Sequence, residues 1–135
     1  MGHNVDLCGA FSAADMSRTV GETFLTCTQV MTTDPLTPGI HQTVATYTEA
    51  DDLRIFTLSY ITNFTATLQK WPSQDKITGI GDTAWFNEPA FKLQVAYGPD
   101  VIEAMAGRRD MGGGDVLAVD KKVVNAAVGR LGTGG

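Results

Sequence analysis

The chain has 135 residues, of which 43% are hydrophobic and 19% charged, and a formal net charge of −5. That length and apolar content describe one domain with enough side chains for a core. An acidic balance with ten scattered Lys and Arg argues against a nucleic-acid surface, which needs clustered cations. No apolar run reaches the ~18 residues that a membrane-spanning helix requires.

In chain order, Ser12 is placed as an N-cap, with Asp15 adding negative charge at the positive end of the helix dipole. Phe11 and Met16 stand where a hydrophobic staple forms, and Gly21 is the residue that ends such a helix in a left-handed conformation. Thr26–Thr32 follows as a β-branched strand, and Asp34-Pro35-Leu36-Thr37-Pro38-Gly39 is a loop by its prolines and glycine. Thr43–Thr48 and Leu53–Ile61 read as a hairpin across the acidic break Glu49-Ala50-Asp51-Asp52.

Phe64, Leu68 and Trp71 have helical spacing, and Pro72 stops that run. Ile77–Phe86, Phe91–Tyr97 and Val101–Ala106 give a second set of strands, the last two joined by Gly98-Pro99-Asp100. Gly107–Gly114 is a loop. Asp115 caps a final helix, Val116–Leu131, whose valines share a face. The expected fold is α+β, an antiparallel sheet with helices packed on it in the order α-βββ-α-βββ-α. It spans residues 5–132, with flexible termini at 1–4 and 133–135.

The two cysteines, Cys8 and Cys27, are either buried thiols or a disulfide, since one precedes a helix and the other lies on the next strand. With His3 and His41 they fall in no zinc-ligand spacing. The opening Met1-Gly2-His3-Asn4 is no signal peptide, so the chain reads as cytosolic or as the mature part of an exported protein.

The run Asp6-Leu7-Cys8…Ser12-Ala13-Ala14-Asp15…Val20-Gly21…Cys27, then Gly79-Ile80-Gly81-Asp82-Thr83-Ala84, then Leu93-Gln94-Val95 and Val101-Ile102, resembles small secreted lipoproteins of actinobacteria. The resemblance covers roughly residues 5–131. It implies that Cys8 and Cys27 pair, that the fold is a PsbP-like α/β sandwich, and that the protein is secreted or held at the cell envelope. A lipid anchor, where present, would lie upstream, because Asn4-Val5-Asp6-Leu7 is no lipobox. Catalytic residues and cofactors are not implied.

Several local patterns invite chemistry. Gly79-Ile80-Gly81-Asp82 lacks the further glycine and following helix of a phosphate loop, and reads instead as a strand-start turn in which Asp82 binds nearby amides. Gly112-Gly113-Gly114 before a helix, with Arg108 and Arg109, is the better anion candidate, although Asp115 would repel the guest. Glu49, Asp51 and Asp52 lack calcium-loop spacing. His41 stands alone, and no serine or cysteine sits in a nucleophile elbow.

Trp85 and Phe86 must face opposite ways on a strand, so one lies under a helix and the other under a loop or at a binding surface. The residues selected for ligand binding are therefore Trp85, Phe86 and Tyr97, with Arg108 and Arg109. The expected function is a non-enzymatic binding domain outside the cytoplasm, for a partner protein, an envelope component or a small apolar ligand. The alternative is a small cofactor-free enzyme that places His41, Asp82 or a tyrosine around an apolar cavity. A third reading is a structural module that associates through a strand edge.

Overall fold

Ser12 closes a capping box. Its Oγ accepts from Asp15 N at 3.2 Å, and the Asp15 carboxylate accepts from Ser12 N at 2.9 Å. Helix α2, Ala13–Val20, starts there and stops at Gly21, whose φ of 85° suits a residue without a Cβ. In the computed structural model, which describes residues 5–33, 39–50, 55–68, 75–108 and 115–131, a further short helix precedes it. This is α1, Leu7–Ala10, capped by Asp6, which accepts from Gly9 N at 3.0 Å.

Among the described residues seven strands follow in one antiparallel sheet: β1 Thr26–Thr33, β2 His41–Thr48, β3 Ile55–Ile61, β4 Asp75–Ile77, β5 Thr83–Asn87, β6 Lys92–Tyr97 and β7 Asp100–Ala106. A one-turn helix α3, Thr65–Leu68, lies between β3 and β4, and α4, Val116–Leu131, closes the order. The spatial order β1-β2-β3-β7-β6-β5-β4 is two meanders joined where β3 pairs with β7.

The pleat sorts side chains into two faces. One cross-strand row runs Gln29–Ala45–Leu58–Ala104–Leu93–Phe86, and its neighbour runs Met31–Thr43–Tyr60–Ile102–Val95–Ala84. Most of these residues join Leu7, Phe11, Met16 and Val20 from α1 and α2, and Val116, Val119, Val123, Val124 and Ala127 from α4, in the main core. Each large apolar side chain buried there is worth roughly 1.5–3 kcal/mol. Tyr47 enters the same core and donates its hydroxyl to Phe11 O at 2.6 Å. Burial, and then the Asp15 charge, push its ionisation above the ordinary tyrosine range.

Cys8 and Cys27 are bonded, with Cα atoms 5.8 Å apart, fixing α1 to β1. The two cysteines are 19 positions apart in sequence, and closing a loop of that size contributes roughly 3 kcal/mol by the chain-entropy estimate. Arg130 near the end of α4 donates to Asp15 Oδ1 at 3.0 Å, and Arg18 pairs with the same carboxylate, so the start of α2 is tied to the end of α4. The Ser12 amide first, and these cations after it, hold the Asp15 carboxyl below its ordinary range against the opposing effect of burial.

The α+β class and the single antiparallel sheet with helices on it match expectation. The order α-βββ-α-βββ-α does not. The second run holds four strands rather than three, because Ile77–Phe86 is broken into β4 and β5. Gly79 and Gly81, with φ of 90° and 60°, turn the chain back, and Ile80 drops into the core between them. A Cβ on Gly81 would lie 2.3 Å from Val95 Cγ1 and 2.8 Å from Ala96 O, so the turn admits nothing larger than glycine. The opening helix is also two helices rather than one. The loop at 34–38, the strand start at 53–54, Trp71, Gly112-Gly113-Gly114 and the two termini lie outside the described residues.

Candidate functional site

The face of the sheet away from α1, α2 and α4 has a different chemistry. Its middle row takes one residue from each strand: Val30, Val44, Ser59, Glu103, Gln94, Trp85 and Lys76. Trp85, Ala96 and Val101 form a small second core here, with Phe64 packed against it. A half-open cleft of about 430 Å³ lies beside that cluster, lined by Thr32, Thr33, Ile40, Gln42, Ile61, Phe64 and Glu103. That volume falls within the usual range for small-molecule sites.

The walls are held by backbone-directed bonds. Thr62 Oγ1 donates to Gly39 O at 2.8 Å and accepts from His41 N at 2.9 Å, while Asn63 Nδ2 donates to Gly39 O at 2.7 Å. These fix the segment carrying Ile40. On the other side, the amides of Phe64 and Thr65 donate to Pro99 O, and Thr65 Oγ1 donates to Gly98 O at 2.8 Å. Phe64 is thereby pinned to the β6–β7 turn. Asp100 completes the anchor, accepting from Tyr60 Oη at 2.6 Å and from Asn63 N at 3.1 Å. Burial first, and then this bond and the Asp100 charge, push the Tyr60 phenol above its ordinary range. His41 Nδ1 lies 3.0 Å from the hydroxyl of Thr33 at the rim.

Glu103 supplies the carboxylate of the cleft. Gln94 Nε2 donates to its Oε2 at 2.5 Å, which turns the Gln94 carbonyl away. That carbonyl oxygen is buried without a hydrogen-bond partner, on a side chain only 1% exposed. Gln94 does not itself line the cleft, so the acceptor that the cleft presents is the Glu103 carboxylate. Ile40, Ile61 and Phe64 are the apolar residues that line the cleft with Glu103.

The residues selected from sequence do not converge on this cleft. Trp85 belongs to the second core on this face, whereas Phe86 packs against the main core on the other. Tyr97 also packs against the main core, and burial, with Asp82 beside it, raises its ionisation. Arg108 pairs with Glu22 at 3.4 Å. Arg109 lies outside the described residues, as do Asp51 and Asp52. Asp82 accepts from Gly98 N at 2.6 Å, the amide-binding role expected of its turn. His41 on β2 and Tyr97 on β6 stand three strand spacings apart, roughly 14 Å.

Sequence reasoning passed over Glu103 and Gln94. The available signal was a polar residue inside each of two otherwise apolar runs, Val101-Ile102-Glu103-Ala104 and Leu93-Gln94-Val95-Ala96, which share the reverse face. Among the described residues, no group of three or more His, Cys, Asp and Glu side chains is placed to hold a metal ion, and no helix is long and apolar enough to cross a membrane. No family model matches the chain, and neither a curated protein nor a solved structure matches it.

Proposed function

We propose that this protein is a non-enzymatic binding domain working outside the cytoplasm, and that it holds a small ligand in the cleft beside Phe64. The ligand has a compact apolar body and presents a hydrogen-bond donor, such as an amine or ammonium, to Glu103. The observation that carries this reading is the Glu103 carboxylate, fixed by Gln94 Nε2, in the same cleft lining as Ile40, Ile61 and Phe64. An ammonium in that position gains a charge-assisted hydrogen bond in a partly desolvated setting.

The Cys8–Cys27 bond supports an oxidising compartment, because such bridges persist outside the cytosol. The resemblance to secreted actinobacterial lipoproteins supports the same location, and carries with it the proposals of an upstream lipid anchor and a PsbP-like sandwich.

Isothermal titration calorimetry with hexylammonium, hexanol and hexanesulfonate tests the ligand class. The ammonium should bind most tightly and the sulfonate least, and Glu103→Gln should remove the preference for the cation. Equal affinity for all three, or a preference for the sulfonate, would reject it.

A further inference from the structure

Strand β1 forms one edge of the sheet, and β4 forms the other. The two edges are built differently. Strand β4 has three residues, two of them the charged Asp75 and Lys76, and a short charged edge is poorly suited to strand addition. Strand β1 is eight residues long, reads Thr-Cys-Thr-Gln-Val-Met-Thr-Thr, and contains no charge, proline or glycine. Alternate residues along it direct their N–H and C=O groups away from β2.

The exposed large hydrophobics of the described residues are Leu25, Val30 and Met31, at 60%, 63% and 44% exposure, all on β1 or immediately before it. Uncharged, β-branched and apolar, this is the kind of edge that recruits another strand.

We propose that the occupant is a second copy of this chain, whose own β1 adds antiparallel about a two-fold axis at Val30. The sequence of β1 is self-complementary in that register. On the reverse face Val30 meets Val30 and Thr28 meets Thr32, like with like, while on the helix face Gln29 meets Met31 and Cys27 meets Thr33, and no two charges oppose. Each pair also matches in face: the even positions lie on the reverse side of the sheet and the odd ones on the helix side. The two sheets then run on as one, with both helix layers on the same side. Every exposed apolar side chain of β1 is brought to the joint. The proposal does not rest on the ligand reading, although Thr32 and Thr33 at the end of β1 also line the cleft.

Sedimentation velocity of the full oxidised chain, from micromolar to sub-millimolar concentration, tests it together with amide exchange at low and high concentration. The expected result is a monomer–dimer equilibrium, with amides between Thr26 and Thr33 exchanging more slowly in the concentrated sample. Val30→Lys places like charges directly opposite one another and should weaken the dimer by about tenfold or more; Met31→Lys is the second variant. Both positions are exposed, and circular dichroism confirms that each variant is folded. A monomer at every concentration overturns the proposal, as does a dimer that both variants leave intact. Unchanged exchange in β1 across the wild-type series would overturn it as well.

Discussion

The two faces of the sheet are made from the same strands and differ in chemistry. On the helix side, Leu58, Ala104 and Leu93 lie in one row under α4 and its neighbours, and the packing tolerates little change of volume. On the reverse side the neighbouring positions are Thr57, Ser59, Glu103 and Gln94, with an apolar cluster at Trp85 and a cleft at Phe64. One face stores stability. The other carries a smaller buried cluster and polar side chains beside a cleft, the arrangement on which the proposed ligand site rests.

The largest effect separating the faces should come from Phe56→Ala, which empties a fully buried position on the helix side. Urea denaturation should show a loss of about 3–5 kcal/mol, as for other buried phenylalanines. Reduction of the Cys8–Cys27 bridge, or Cys8→Ser with Cys27→Ser, should cost roughly 3 kcal/mol in the same assay. A loss well under that would mean that α1 holds to β1 without it.

Asp120 gives a pH-dependent version of the same contrast. It lies on the core face of α4 at 0% exposure, and neither carboxyl oxygen has a hydrogen-bond partner. Desolvation pushes its pKa up to about 9. The folded protein therefore keeps a proton there that the unfolded chain gives up near pH 4. The contribution is fully present below that value and is lost as pH rises towards 9, by at most ~1.4 kcal/mol per pH unit. Asp120→Asn should flatten the slope of stability between pH 5 and pH 8, as read from denaturation midpoints. Asp6 and Asp15 act with the opposite sign, since their carboxyls are held below the ordinary value and their contribution is lost as pH falls through the acid range.

Ser12→Ala removes the N-cap acceptor of α2 and should cost about 1 kcal/mol. Thr57→Ala, on the reverse face, should change stability least, by under about 1 kcal/mol. If it cost as much as Phe56→Ala, the distinction between the faces would fail.

The helix-side architecture is largely legible in the sequence because its signals are local. Ser12, Asp15 and Gly21 mark both ends of α2, and Asp115 caps α4 by accepting from Ala118 N at 3.2 Å. Strand alternation shows which residues share a face, but not which face a helix covers. Gly79-Ile80-Gly81-Asp82 reads as a strand-start turn, but the short polar run Asp75-Lys76-Ile77 before it carries no strand signal of its own, so β4 is not separated from β5. Asp120 was passed over, although on the helical wheel it stands between Val116 and Val124, where a charge interrupts an apolar stripe. The cleft was less accessible, since Thr32, Ile61, Phe64 and Glu103 are brought together only by pairing across four strands and by the bonds of Thr62 and Thr65 to distant carbonyls.

Amide chemical-shift mapping during a titration with hexylammonium tests the central claim most directly. The division of labour between the faces predicts that shifts concentrate at Thr32, Gln42, Ile61, Phe64 and Glu103, and spare Leu58, Ala104 and Val123. Shifts centred on the helix side, or none at saturating ligand, would contradict it.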